Sequence, residues 1–168
     1  MKIIPYGRQL ISSNDISAVA SALKKDVITT GKTVQEFEQK INFFLKCKYS
    51  TVCNSGTSAL FLAFQSIELK KGDVIIMPAI NFIASYNIAK LFEAKIFLAD
   101  VDKQTGQMSP SNVEECCKKF NLKKIKVILT MYNGGYPDNA EKFYIFKKKY
   151  RCFLIEDACH AFGSSYML

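Results

Sequence analysis

Histidine is almost missing: His160 is the single one among 168 residues. The six cysteines (Cys47, Cys53, Cys116, Cys117, Cys152 and Cys159) include no CxxC pair. Together these gaps remove the usual ligand set of a zinc site, and no metal is expected. Six thiols in a chain of this length are also too sparse for a disulfide scaffold, so they read as free thiols of a reducing cytoplasm. No apolar run reaches the roughly 18 residues of a membrane span, which excludes a spanning helix. The start, MKIIPYGRQLISSND, has one early lysine and only a broken apolar stretch, so no secretory leader is expected. No repeat, low-complexity tract or internal domain boundary is expected from the sequence.

Acidic residues are the scarcer charge, 15 Asp and Glu against 23 Lys and Arg, for a net charge of +8. The lysines cluster in short runs, KCK, LKK, NLKKIK and FKKKYR, beside helix ends and turns. Solvated surface accounts for such runs, and cations near helix C-termini are locally favourable. Nucleic acid is therefore not an expected partner. A basic surface equally suits an anionic small substrate such as a nucleotide sugar, and charge does not choose between them.

Apolar residues make up 49% of the chain, enough for a folded core. SSNDISAVASALKK predicts a capped helix with Ile16, Val19, Ala20 and Leu23 on one face. After the turn TTGK, a second amphipathic helix is expected to point Val34, Phe37, Ile41 and Phe44 inward. Five strand-like runs follow: STVCN (50–54), DVIIMP (73–78), AKIFLADV (94–101), KVILTMY (126–132) and RCFLIED (151–157). Between them lie the helix-like TSALFLAFQSI, NFIASYNIAKLFE, SPSNVEECCKKF and NAEKFYIFKKKY. Strands apolar on both sides, alternating with helices, predict an α/β protein: a three-layer α/β/α domain around a mainly parallel sheet.

Ligands of such sheets gather outside the carboxyl ends of the strands. Four strand ends carry polar or small residues there. STVCN leads into Ser55-Gly56-Thr57-Ser58, either an anion site at a helix start or an ordinary cap. After DVIIMP comes Phe82, either a core aromatic or a ring that stacks on a flat ligand. Asn133-Gly134-Gly135 follows KVILTMY. The last strand ends in Glu156 and Asp157, with His160 about one helical turn further on. Glu156 has the opposite phase and reads as structural. A lone carboxylate after an apolar strand needs solvent or a partner. Asp157 is thus a helix N-cap or the group that holds a proton on a heterocyclic nitrogen, with His160 able to donate to a ring oxygen.

Taken together, RQLISSNDISAV, ITTGKTVQEFEQ, NSGTSAL, GDVIIMPAINFIASYNIA and IEDACHAFGSSY resemble the DegT/DnrJ family of sugar aminotransferases. These enzymes depend on pyridoxal 5'-phosphate (PLP) and have the fold-type I architecture. The order and spacing of the segments carry the resemblance along nearly the whole chain. The wording of EDACHA looks closest to enzymes that aminate C4 of a UDP-linked 4-keto-6-deoxy amino sugar on the pseudaminic-acid route. By this resemblance Gly56, Thr57 and Ser58 match the cofactor-phosphate turn, and Phe82 the aromatic on the pyridine ring. Asp157 matches the partner of the pyridinium nitrogen, and His160 the residue near the ring hydroxyl. It further implies an amino-acid donor such as glutamate, a cytoplasmic enzyme and a homodimer at full length.

The family's Schiff-base lysine lies downstream of EDACHA, and no lysine follows Lys149. No catalytic residue of that kind is therefore expected here. Residues 1–168 are expected to form the N-terminal part of the PLP-binding large domain, without the rest of that domain or a C-terminal small domain. Such a chain should not complete a transamination cycle by itself. The other readings are a non-catalytic half-domain or pseudoenzyme that binds PLP or a nucleotide sugar, a sugar dehydratase of the same family, and an unrelated α/β nucleotide-binding protein.

Overall fold

The computed structural model describes residues 7–165. It divides at Val52/Cys53 into two compact units. The first contains helices α1 (Ser13–Leu23) and α2 (Lys32–Leu45). Ser12 caps α1 through its side chain, and Asp15 reaches back to the Ser12 N–H at 2.7 Å, a reciprocal capping box. The helices form where periodicity placed them, but the expected burial does not follow. Ile16, Val19, Leu23, Phe37 and Phe44 are exposed, Val34 and Ile41 are half-buried, and neither helix holds a buried residue. Periodicity defines which stripe is apolar, while burial needs a second surface to cover it.

A second correction concerns STVCN. Residues 50–54 form no strand. Instead, Val52 N donates to Glu38 Oε1 at 2.9 Å and Ser50 Oγ donates to the Glu38 carbonyl at 2.8 Å. Extended apolar residues become a strand only beside an edge that offers a ladder, and α2 offers this segment isolated acceptors.

In the second unit the alternation of elements holds. Helices α3 (Gly56–Ser66), α4 (Ile83–Leu91), α5 (Pro110–Lys119) and α6 (Ala140–Tyr150) alternate with β1 (Val74–Pro78), β2 (Lys95–Ala99), β3 (Val127–Met131) and β4 (Phe153–Asp157). All pairings are parallel, in the order β2-β1-β3-β4. Side chains alternate strictly across the sheet. Ile75, Met77, Val127 and Leu129 pack with Leu60, Phe64, Ala84 and Ile88 of α3 and α4. Ile76 and Ile128 face the other way, against Val113 and Cys116 of α5 and Phe143 and Phe146 of α6. These are the three layers expected of continuous apolar strands.

The connection out of β1 runs through α4 on one face, and that out of β3 through α6 on the other. The chain thus parts to opposite sides between the carboxyl ends of two neighbouring strands. Such a divergence opens a crevice, the usual ligand site of open α/β sheets.

Candidate functional site

Asp157 ends β4, two residues beyond Ile155, so it shares the face that Ile155 turns toward α3 and α4. Its side chain is 6% exposed. Oδ1 accepts from Cys159 N at 3.2 Å, closing a tight turn. Residues 158–165 continue as turns, with Ala161 N bonded to Ala158 O at 2.8 Å and Ser164 N to Ala161 O at 2.9 Å. No helix starts here, so Asp157 is not a helix cap. The Cys159 thiol also donates to Asp157. That bond, followed by burial and the Asp157 charge, pushes the thiol up to about 11.

The same turn touches the start of α3. A side chain on Gly56 would lie 3.4 Å from Cys159 Sγ, in ordinary contact. Ser55 caps the helix by accepting from Ser58 N at 3.2 Å, and Ser58 Oγ donates to Asn54 Oδ1 at 2.7 Å. The N–H groups of Gly56 and Thr57 come first in the helix, with no carbonyl one turn earlier to receive them. Thr57 is exposed beside them. Part of NSGTS is therefore a cap, and the first N–H groups of α3 lie beside it.

Phe82 follows β1 and precedes the first residue of α4. Its ring is 59% exposed, so it is not a core aromatic. Its N–H donates to Met131 Sδ at 3.3 Å, and Met131 is the register partner of Asp157. Beside Phe82 in the chain, Asn81 Nδ2 donates to Ser85 Oγ at 2.7 Å, while its buried Oδ1 has no partner among the described residues. Glu156 points to the opposite face and accepts from the Tyr132 hydroxyl. Its structural role agrees with its phase.

His160 is placed differently from the sequence expectation. It follows Asp157 through a turn rather than one helical turn, and it packs against the 3-10 turn Asn133–Gly135 after β3. Gly134 N donates to His160 Nδ1 at 3.4 Å. Gly135 has φ +86°, and a Cβ there would sit 2.5 Å from the His160 carbonyl oxygen. Only glycine allows both this backbone conformation and this approach. The structure thus brings Asp157, Gly56 and Cys159 together, Phe82 to the Asp157 neighbour Met131, and His160 to the β3 turn. Sequence reasoning overlooked Cys159, Met131 and Gln107. The last is a buried amide whose setting before a helix carried no signal. No metal-binding cluster occurs among the described residues, and no helix among them is long and apolar enough to cross a membrane.

A doubly covered parallel sheet with polar groups at the strand carboxyl ends defines an open-sheet α/β protein of the three-layer class. The chain belongs to the DegT/DnrJ/EryC1/StrS aminotransferase family, whose profile matches residues 9–167. It is 35% identical over 164 residues to the UDP-4-amino-4,6-dideoxy-N-acetyl-beta-L-altrosamine transaminase of Campylobacter jejuni subsp. jejuni serotype O:23/36 (strain 81-176), covering 98% of this chain and 43% of that protein. It is 34% identical over 167 residues to GDP-perosamine synthase of Escherichia coli O157:H7, covering 99% and 45%. A Streptococcus pneumoniae structure in its PLP-form superposes with a TM-score of 0.85 at 26% identity, over 97% of this chain and 44% of that one. The chain spans less than half the length of the curated relatives it matches.

Proposed function

We propose that this chain is the cofactor-holding part of a PLP-dependent transaminase that moves an amino group from an amino acid, glutamate by family resemblance, to a keto nucleotide sugar. On this reading residues 1–168 are the N-terminal part of the PLP-binding large domain of a cytoplasmic homodimer. Its product is an amino sugar for surface polysaccharide or glycan. The observation that carries the reading is Asp157: a buried carboxylate at a strand carboxyl end, on the face that α3 and α4 cover. A charged group is costly to bury without a cationic or hydrogen-bonding partner. The Cys159 N–H and thiol supply hydrogen bonds from one turn, and a protonated ring nitrogen would add a cationic partner.

The residues present fit such a cofactor. The start of α3, with Gly56, Thr57 and Ser58, would hold its phosphate, since the Gly56 and Thr57 N–H groups have no carbonyl one turn earlier to receive them. The exposed ring of Phe82 would cover one face of the pyridine. Asp157 would keep a proton on the ring nitrogen, and His160 would donate to the ring oxygen. When bound, PLP supplies the electron sink for amino transfer. The reading assigns no residue of this chain to the covalent lysine and calls for weak, non-covalent binding by residues 1–168.

The test is cofactor retention. Thr57→Ala with Ser58→Ala removes the exposed Thr57 hydroxyl and a Ser58 hydroxyl that would have to turn from Asn54 to reach the phosphate, each bond to a charged group being worth about 1.5–3 kcal/mol. Retention of PLP by the purified chain on dialysis should drop at least tenfold. Retention equal to wild type in this double variant would return NSGTS to the role of a plain cap. Borohydride treatment should leave no single lysine stoichiometrically labelled; such labelling would show that an upstream lysine holds the cofactor.

A further inference from the structure

Gln107 is a buried amide in the connection between β2 and α5, 4% exposed and far in sequence from every residue of the candidate site. Its Nε2 donates to the Tyr136 carbonyl at 2.8 Å and lies 3.5 Å from the Asn133 carbonyl. Those two carbonyls bracket the 3-10 turn Asn133–Gly135. One amide therefore clamps both ends of the turn, and it does so from the end of β2, which β1 separates from β3 in the sheet. Gln107 is itself held: its carbonyl accepts from Asp102 N at 2.9 Å, and its N–H donates to Thr105 Oγ1 at 3.2 Å. The Asp102 carboxylate accepts from Gln104 N and Thr105 N, both at 2.9 Å.

The clamped turn is the surface against which His160 is set. Gly134 directs its N–H at Nδ1, and Gly135 lies under the His160 carbonyl. From the far side, Ser164 Oγ donates to Gly135 O at 2.8 Å and ties the segment after His160 to the same turn. A neutral imidazole carries one proton, and a backbone N–H aimed at Nδ1 places that proton on Nε2. We propose that Gln107 is a positioning residue for His160, which through the Asn133–Gly135 turn fixes the imidazole in place with Nε2 as its donor. The bearing of this donor on a bound ring rests on the function proposed above. The placement of the imidazole does not.

His160 is the sole histidine of the chain, so ring-15N NMR of histidine-labelled protein reads it without assignment. In the wild-type chain with a neutral imidazole, Nε2 should be protonated and Nδ1 bare, with a scalar coupling from Gly134 N–H to Nδ1. Gln107→Met keeps the length of the side chain and removes its donors. The preference between the two tautomers should then fall roughly five- to tenfold, the factor that one ordinary hydrogen bond carries. A mainly Nδ1-protonated wild type would overturn the proposal, as would an unchanged tautomer ratio in a Gln107→Met chain with wild-type circular dichroism. Should that variant not fold, Gln107→Glu, of the same shape but without the amide donors, is read in the same way. Adding PLP is a separate arm: a cofactor-induced shift at Nε2 speaks to the proposed function, and its absence leaves the clamp itself standing.

Discussion

At the scale of single residues, Asp157 links two measurable properties. Its carboxylate holds the Cys159 thiol up to about 11 from an ordinary value of 9.0. The protonated thiol is thus favoured by folding. This contribution to stability is complete below the unfolded value of 9.0 and is lost as pH rises through about 11. Alkylation follows the thiolate, so the labelling rate at Cys159, mapped by mass spectrometry, should keep climbing until about pH 11. Asp157→Asn keeps the size of the side chain but removes the charge. The rate profile of Cys159 should then move to lower pH, and PLP retention should fall. A profile at Cys159 indifferent to Asp157→Asn would mean that the carboxylate does not govern this turn. Sequence pattern had singled out Asp157 because a lone carboxylate after an apolar strand demands an explanation. It was silent on Cys159, since a thiol next to a charge is visible only once the turn between them is known.

At the scale of elements, the helices and four of the five strands were legible because each has its own period: 3.6 residues for α3 to α6, continuous apolar runs for β1 to β4. The fifth run, STVCN, shows the limit. Its composition suits a strand, but a ladder is a property of two segments, and Glu38 of α2 takes its hydrogen bonds instead. The inward assignment of Phe37 and Phe44 failed for the same reason, since amphipathicity names a face and not its cover. His160 follows Asp157 through turns, whereas the sequence reading spaces it by a helical turn, a local geometry that residue spacing alone does not fix. The Asn133–Gly135 turn yields a prediction at this scale. Gly135→Ala would force a Cβ to within 2.5 Å of the His160 carbonyl oxygen at a φ of +86°. Strained backbone of this kind costs of order 1–3 kcal/mol. The denaturation midpoint should drop accordingly, and the ring signals of His160 should move. At Gly106, also at positive φ but with open space around it, the alanine variant meets no such contact and serves as the control. Equal shifts in midpoint for the two variants would trace the whole effect to backbone conformation.

At the scale of the whole molecule, two kinds of surface compete over association. β2 and β4 are the edges of the sheet and present half-exposed apolar side chains such as Leu98 and Phe153. α1 and α2 leave Ile16, Val19, Leu23 and Phe37 exposed. Edge strands and apolar stripes of this size favour contact with further copies. Against them stands a net charge of +8, spread over lysine runs that repel one another. Repulsion between exposed charges fades beyond about 10 Å at 0.1 M salt, whereas apolar contact is hardly screened. Added salt should therefore promote association rather than dissolve it. Sedimentation velocity should show oligomers that grow with protein concentration and with ionic strength. Phe37→Glu together with Ile16→Glu should reverse much of that growth, since the two side chains are 55% and 64% exposed and their loss leaves the packed core untouched. Oligomers that instead come apart as salt rises would identify ionic pairing between copies as the cause. Their persistence in the double variant at high salt would move the contact from the two helices to the sheet edges.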